Sequence, residues 1–542
     1  MSVQIWMKIS AAAVAVAGLS RFACAAPVQA QQADAFVDSI GVNTKLSYAD
    51  TPYGDYPKLK EMLGESKIRH IREGLTGDPV IYGRQNDLAV SLGIKTTLIV
   101  GGDLATNAAP AQEMVRRLGL VKPSVEMLEG PNEPDAGFSY GGRQFPESVL
   151  AFQKLTYNAA KASAFAYLPY LVPSISYPPK SSQVPNIVGD YGNIHSYHGA
   201  LNPETTQTNL DLAGFYLKNA QIEAPGKPVI CTETGNPTTA YDDPSLWMPR
   251  ISEIAEAKYA LRTYLEYFRV GIKRTFIHEF IDEHPNPRAS EQNFGLLRND
   301  WSPKPAFVGI RNLITILSDP GPEFKPAPLD FDMTGDTADV HQLLLEKRDG
   351  SYYLVLWHAV RSYDPARKID SDVAGAHVTL DFHSKLAAVQ PFEPLAWSTP
   401  GAPIDASQPV SLDVPDQPVI LLLVKNGAHL VVTKVGLDKS PVAGTPVHFT
   451  ATVQNQGTAA TPSGVVIAVT FFDTTGGQHK MLTYSSTFTG SIAAGQSVDM
   501  VSDGTWTPSS GKYDIQALVD DVHRVPETDR ANDTLDGVVV VP

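Results

Sequence analysis

Short apolar runs alternate with amphipathic stretches from about residue 31 to residue 317, the pattern of repeated strand–helix units. The runs predict strands at 39–43, 67–72, 94–100, 124–129, 166–173, 193–196, 228–232 and 272–277. The clearest helix is 251–270, where Ile251, Ile254, Leu261, Leu265 and Phe268 keep the 3.5–3.6 spacing of a face packed on a sheet. Eight such strands over roughly 285 residues fit an α/β fold of the (β/α)8 TIM-barrel type, usually about 250 residues long. A doubly wound open sheet is the competitor, but no G-x-G-x-x-G follows the first run.

After Asp319-Pro320-Gly321-Pro322 the period changes from 3.6 to 2. Val378, Leu380 and Phe382 alternate with Thr379 and Asp381, and 352–357 is a β-rich run, which predicts a β-sandwich. Lys425-Asn426-Gly427 is a short polar link to a third segment, in which Val447, Phe449, Ala451 and Val453 alternate again. The chain therefore reads as multidomain: a leader at 1–30, a barrel at 31–318, a β-sandwich at 319–425 and an immunoglobulin-like β-sandwich at 428–542.

The leader is a targeting signal. Lys8 precedes an apolar run at 9–19, too short for the ~20 residues of a bilayer span. Two A-x-A-like sites follow, Ala23-Cys24-Ala25 and Val28-Gln29-Ala30, and the cut is expected after Ala30. Arg21 and Phe22 spoil a lipoprotein signal, so the expectation is a secreted protein, extracellular or periplasmic, without membrane insertion. Composition narrows the classes further. Against 43 Lys and Arg stand 58 Asp and Glu, a formal charge of −15, which argues against a nucleic-acid partner or a polybasic membrane binder. Two cysteines make neither a disulfide framework nor a Cys-based zinc site.

In a barrel of this kind chemistry sits at the C-terminal ends of the strands. The fourth run leads into Glu129-Gly130-Pro131-Asn132-Glu133-Pro134-Asp135, and the seventh into Cys231-Thr232-Glu233-Thr234-Gly235. Each sets a glutamate where an apolar strand meets a Gly/Pro-rich loop. Two facing carboxylates are the equipment of glycosidic cleavage, one protonating the leaving oxygen and the other attacking or activating water.

These motifs resemble those of clan A glycoside hydrolases of the family 5/39 type, with Asn-Glu-Pro after the fourth strand and T-E-x-G on the seventh. The resemblance implies a retaining glycosidase acting on a poly- or oligosaccharide without a cofactor or metal. Glu133 would be its acid/base, Glu233 its nucleophile, and Asn132 the partner of the sugar 2-hydroxyl. Arg72 is similar to the second-strand arginine that orients the nucleophile. His195 and Tyr197 resemble the H-x-Y segment after strand six, Tyr197 donating to Glu233 and His195 lining the sugar site. At the eighth strand the usual tryptophan is missing. His278 or Phe280 is expected to substitute, or the platform to come from Trp247 or Trp301. The C-terminal segment, with Asp520-Asp521, Glu527 and Asn532-Asp533, resembles the cell-adhesion-related domain of bacteria (CARDB). That likeness implies either a spacer or a binding module for this domain, with a polysaccharide or cell surface as the contact in the second case. The alternative function is a catalytically silent carbohydrate-binding or adhesion protein on the same scaffold, which the loss of either glutamate would have favoured.

Other patterns fail. His278-Glu279 with His284 lacks the i, i+4 histidine spacing of a zinc helix, and Glu279, Asp282 and Glu283 read as a polar loop. Residues 330–336 imitate a calcium loop, but its twelfth position is His341 and not glutamate. There is no G-x-S-x-G elbow and no P-loop, and Cys231 reads as a packed thiol.

Overall fold

The computed structural model describes residues 27–243, 248–384, 386–525, 527–528, 530 and 532–542. The leader through residue 26, and Trp247, lie outside the described residues.

The first part of the chain is an eight-stranded parallel barrel. Its strands are β1 (Ile40–Asn43), β2 (His70–Gly74), β3 (Lys95–Ile99), β4 (Val125–Glu129), β5 (Tyr170–Leu171), β6 (Gly192–His195), β7 (Val229–Thr234) and β8 (Thr275–Ile277). Hydrogen-bonded neighbours run β5-β4-β3-β2-β1-β8-β7-β6, and the Leu171–Tyr191 bridge closes the ring between β5 and β6. The helices are α1 (Ala33–Asp38), α2 (Tyr56–Ser66), α3 (Pro79–Leu92), α4 (Pro110–Leu120), α5 (Glu147–Lys161), α6 (Lys218–Glu223), α7 (Glu253–Arg269) and α8 (Pro305–Leu317).

Strand ends differ from the pattern for local reasons. The expected 67–72 starts later because Lys67, at φ 61°, is the left-handed cap of α2. The expected 166–173 shrinks to two residues because turns persist through Leu168. The expected 228–232 runs on to Thr234, so Glu233 stands within β7 and not beyond it.

Along β7 the side chains alternate. Ile230 packs inside the barrel with Met127, Leu171 and Phe276, while Val229 and Cys231 pack outside with Tyr267 and Ile272. Gly41 on β1 is required by this inner layer, because a Cβ there would come within 2.5 Å of the Phe276 ring.

A sandwich follows the barrel. Phe331–Gly335, Ala376–Phe382 and Val410–Val414 form one sheet, and the other contains Tyr352–His358, flanked by Val340–Glu346 and Val419–Lys425. In the second sheet Leu354, Leu356 and Leu421 face the partner sheet, whereas Val355, Trp357 and Ile420 join the core formed with α7 and α8. Burial on both faces explains the unbroken Leu354-Val355-Leu356-Trp357 run. Polar ties cross the same seam: Arg262 on α7 donates to the Val360 carbonyl at 2.8 Å, Trp357 Nε1 donates to Glu204 at 2.9 Å, and Lys258 lies 2.8 Å from Asp416.

The N-terminal residues join the sandwich. Val28–Gln29 pairs with Pro328–Leu329, Gln31–Gln32 pairs with the Leu345–Glu346 end of the sandwich, and Ala30 between them is buried. A cut after Ala30 would remove a strand from the folded sandwich, whereas the site after Ala25 leaves it intact.

The last part is a second sandwich. Leu430–Leu437, Phe449–Asn455 and Ser497–Val501 face Lys480–Ser485, Val469–Asp473, Gly511–Val519 and Thr534–Val541. Phe449 stacks on Phe471 and on Trp506 in its core, with centroids 4.9 and 5.3 Å away.

Candidate active site

The site is built around a buried arginine. Arg72, in the middle of β2, is 4% exposed, and a guanidinium removed from water needs carboxylates around it. Glu129, the last residue of β4 and fully buried, takes it as a fork, with Nε at 2.6 Å and Nη2 at 2.8 Å. The remaining nitrogen, Nη1, donates to Glu233 Oε1 at 2.6 Å, and Nη2 also donates to Asn132 Oδ1 at 2.6 Å. One side chain thus ties together the ends of β2, β4 and β7. Glu129 is fixed further by Asn193 Nδ2 at 2.9 Å and the Thr232 hydroxyl at 3.1 Å, both from the barrel interior.

Glu233 receives the Tyr197 hydroxyl on its other oxygen at 2.8 Å. Burial opposes its charge, but His195 and Arg72 outweigh that cost and hold the carboxyl well below the usual range. Burial, then the Glu233 charge, pushes the Tyr197 hydroxyl far up, so it remains a donor.

Glu133 is oriented by backbone geometry. It sits at φ 42° and ψ 54°, a left-handed conformation uncommon for a residue with a side chain. Asp135 pins the turn that follows by accepting the Ser176 and Tyr177 backbone N–H groups at 2.9 and 3.1 Å. His195, at the end of β6, places Nδ1 2.8 Å from Glu133 Oε1 and 3.4 Å from Glu233 Oε2.

One carboxylate oxygen each from Glu133 and Glu233 and a ring nitrogen of His195 all lie within 4.8 Å of one another. Such a group has the ligand types for a metal ion. Here, however, the Arg72 cation already sits against Glu233, and a second cation would be pressed against it. Proton chemistry suits the arrangement better.

The carboxylates open into a cavity of about 400 Å³. His278, just after β8, forms part of its wall with its ring edge against Phe294, 5.3 Å between centroids. Burial pushes this imidazole down to about 3, so it is neutral. Gly235 allows the end of β7 to approach the His278 carbonyl, which a Cβ would strike.

Asn132, Glu133, Glu233, Arg72, His195, Tyr197 and His278 are therefore brought together. Trp301 is not. It sits at φ 71° in a turn closed on the Arg298 carbonyl and packs against the apolar cluster of α2, α8 and the sandwich. The chain turns inward before reaching it, with Leu296 and Leu297 buried, so Phe294 is the aromatic of this stretch that reaches the cavity. Phe280 is buried against Phe307.

Several lining residues carry no motif: Lys45 after β1, Tyr216, Met248 and Glu291. Lys45 lies 4.0 Å from Glu283 and over the Tyr48 ring. The expected polar loop after β8 is largely buried instead: Glu279 accepts the Tyr53 hydroxyl at 3.0 Å, and Asp282 pairs with the buried Lys304 at 2.8 Å. The calcium-like stretch is spent on an ion pair, Asp330 and Asp332 flanking His383. Cys231 is buried, which pushes its thiol up to about 12. His198 is held between the Leu210 carbonyl and the Tyr267 hydroxyl, a structural histidine.

Comparison with known proteins adds the wider context. The CARDB family model matches residues 427–536. A search of the curated proteins finds no match. Among solved structures the chain is similar to a family 39 glycoside hydrolase from the gut symbiont Bacteroides cellulosilyticus. Sequence identity is 17% and TM-score 0.53, over 72% of this chain and 82% of that one. It is also similar to a monomeric beta-xylosidase from Caulobacter crescentus, at 15% identity and TM-score 0.50, over 73% of this chain and 98% of that one. The protein thus joins a TIM barrel and sandwich with the fold of family 39 glycoside hydrolases to a C-terminal CARDB domain.

Proposed function

We propose that the protein is an exported, retaining glycoside hydrolase in which Glu233 attacks the anomeric carbon and Glu133 is the acid/base. The observation that carries this reading is that the two carboxylates face one cavity with one oxygen of each within 4.8 Å of the other. Retaining enzymes hold their carboxyl groups about 5–5.5 Å apart, whereas inverting ones leave room for a water at about 6.5–9.5 Å. The environments also divide the labour. Glu233 is kept anionic by Arg72 and Tyr197, as a nucleophile must be, while Glu133 is the more open of the two and faces no arginine. Asn132 spends its carbonyl on Arg72, which leaves its amide to donate to a sugar hydroxyl.

In the first step the Glu133 proton goes to the leaving oxygen as the glycosidic bond breaks and Glu233 bonds to the anomeric carbon. Water then attacks that carbon and gives its proton to Glu133, and the bond to Glu233 is released. Export follows from the leader, and the mature chain keeps residues 28–32 in its sandwich. The C-terminal domain serves contact with a polysaccharide or cell surface.

The test is a panel of aryl glycosides and polysaccharides. Aryl β-xylosides come first, because a beta-xylosidase shares the fold. Turnover that disappears in Glu233→Gln supports the reading. Binding without turnover by the intact protein would favour the silent carbohydrate binder.

A further inference from the structure

His195 is buried at the end of β6, and its two ring nitrogens meet different partners. Nε2 lies 3.1 Å from the Thr232 hydroxyl and 3.4 Å from Arg72 Nη2, whose two hydrogens are directed instead to Glu129 and Asn132 at 2.8 and 2.6 Å. That hydroxyl has a single hydrogen, which it directs to Asn193 Oδ1 at 2.8 Å or Glu129 Oε1 at 3.1 Å. Toward His195 its oxygen is therefore an acceptor, and Nε2 keeps its proton in every state. Nδ1 faces the carboxylates, 2.8 Å from Glu133 and 3.4 Å from Glu233. A bare ring nitrogen and an ionised carboxylate both only accept, so the 2.8 Å contact with Glu133 requires one proton between them.

We propose that His195 is the proton partner of Glu133: the proton that the acid step delivers belongs to the Glu133–His195 pair and not to Glu133 alone. This rests on the hydrolase reading above. With one proton, the pair is either a carboxylic acid donating to a neutral imidazole or a carboxylate beside an imidazolium. The two forms contain the same atoms and interconvert by moving the proton along one hydrogen bond. In the first step Glu133 gives the proton to the leaving oxygen, and the imidazole is left neutral. In the second, water returns a proton to Glu133 as the glycosyl bond to Glu233 breaks, so the pair ends as it began.

The surroundings favour keeping that proton. Glu233 on β7 faces Nδ1 as an anion, and Glu291 lies across the cavity. Arg72 on β2 opposes it, but its charge is divided between Glu129 and Glu233. Lys45 after β1 is drawn toward Glu283, His278 after β8 is neutral, and Tyr197 is protonated. Behind the ring, from α6, Glu223 accepts the Ser181 hydroxyl, and burial pushes it up to about 8, so it adds little charge at neutral pH. Losing the proton would leave a lone pair, Glu133 and Glu233 turned on one another, which is the costliest arrangement available. His195 is thus a positioning residue that holds the acid in its working form toward neutral pH.

Two experiments on the full chain test this. The first is NMR of 13C-labelled histidines, with the His195 signal identified by its loss in His195→Asn. Its titration midpoint is expected above the ordinary histidine value and to fall by about one pH unit or more in Glu133→Gln. A midpoint unchanged in Glu133→Gln overturns the proposal. The second is the pH profile of His195→Asn, whose amide still reaches Glu133 but cannot titrate. Its basic limb should move to lower pH while the acid limb stays, and the loss near neutral pH should grow as the leaving group worsens. A loss uniform in pH and leaving group overturns the proposal. If the NMR coupling is found but no glycoside is turned over, the shared proton stands and the hydrolase reading falls.

Discussion

Arg72 in the barrel and Arg530 in the C-terminal domain are each set among carboxylates, with opposite consequences. In the barrel, Arg72 is shared between Glu129 and Glu233, and Glu233 also borders a cavity of about 400 Å³. In the C-terminal domain, Arg530 lies 3.1 Å from Glu527 and 3.3 Å from Asp520. There the acids serve the backbone: Asp520 accepts the Arg524 and Val525 N–H groups at 2.9 and 2.8 Å, and Glu527 accepts that of Leu430 at 2.5 Å. That cluster fastens Glu527, and Asp520 through Arg530, to the strand Leu430–Leu437. The difference is not charge but access. A paired carboxylate becomes chemistry only when its arginine leaves one face toward open volume and a second acid stands across from it.

The largest effects should separate the clusters completely. On aryl glycosides, Glu233→Gln is expected to lower kcat by more than about 10⁴-fold. Glu133→Gln should cost roughly 10²–10⁴-fold with poor leaving groups and far less with good ones. Glu527→Gln should leave initial rates unchanged, and a rate loss there would break the distinction.

Next comes the arginine itself. Arg72→Lys should cost about 10²-fold in kcat, because a point charge cannot bridge Glu129, Glu233 and Asn132 together. In Arg72→Met the acid limb of the pH–rate profile should also rise, since Glu233 loses an opposite charge. Arg530→Lys should alter neither.

Removing residues 428–542 is a coarser form of the same comparison. The site residues come from the barrel, so kcat/KM on small aryl glycosides should be unchanged, while retention on a solid polysaccharide should fall. Lost activity on the small substrates would mean that the C-terminal domain helps to build the site.

The smallest effect is on stability. Burial pushes the Glu527 carboxyl up to about 7, above its unfolded value. A folded value above the unfolded one stabilises at low pH, and that share is lost as pH rises from about 4.5 through 7. Hydrogen exchange at the Leu430 amide, corrected for its intrinsic pH dependence, should therefore quicken over that range. In Glu527→Gln the change should flatten.

The two parts of the site differ in how far the sequence revealed them. Glu133 and Glu233 stand in short contiguous motifs at strand ends, where local order alone assigns a position. Lys45, Tyr216, Met248 and Glu291 come from separate loops, and only closure of the barrel brings them to one cavity. Glu129 was visible as the end of a strand, but its service to Arg72 depends on a neighbour 57 residues away. Trp301 was misplaced because aromatic character says nothing about which way a loop turns. The strands at 28–32 were missed for a related reason. Five residues are too few to show a period, and their partners lie about 300 residues further on, at Pro328–Leu329 and Leu345–Glu346.

The central claim is that Glu133 and Glu233 act across one anomeric carbon by double displacement. The most direct measurement is the anomeric configuration of the sugar first released from an aryl β-glycoside, followed by proton NMR before mutarotation. The account predicts the β-anomer, formed by two inversions through a glycosyl ester on Glu233. Release of the α-anomer would show a single displacement by water and contradict it.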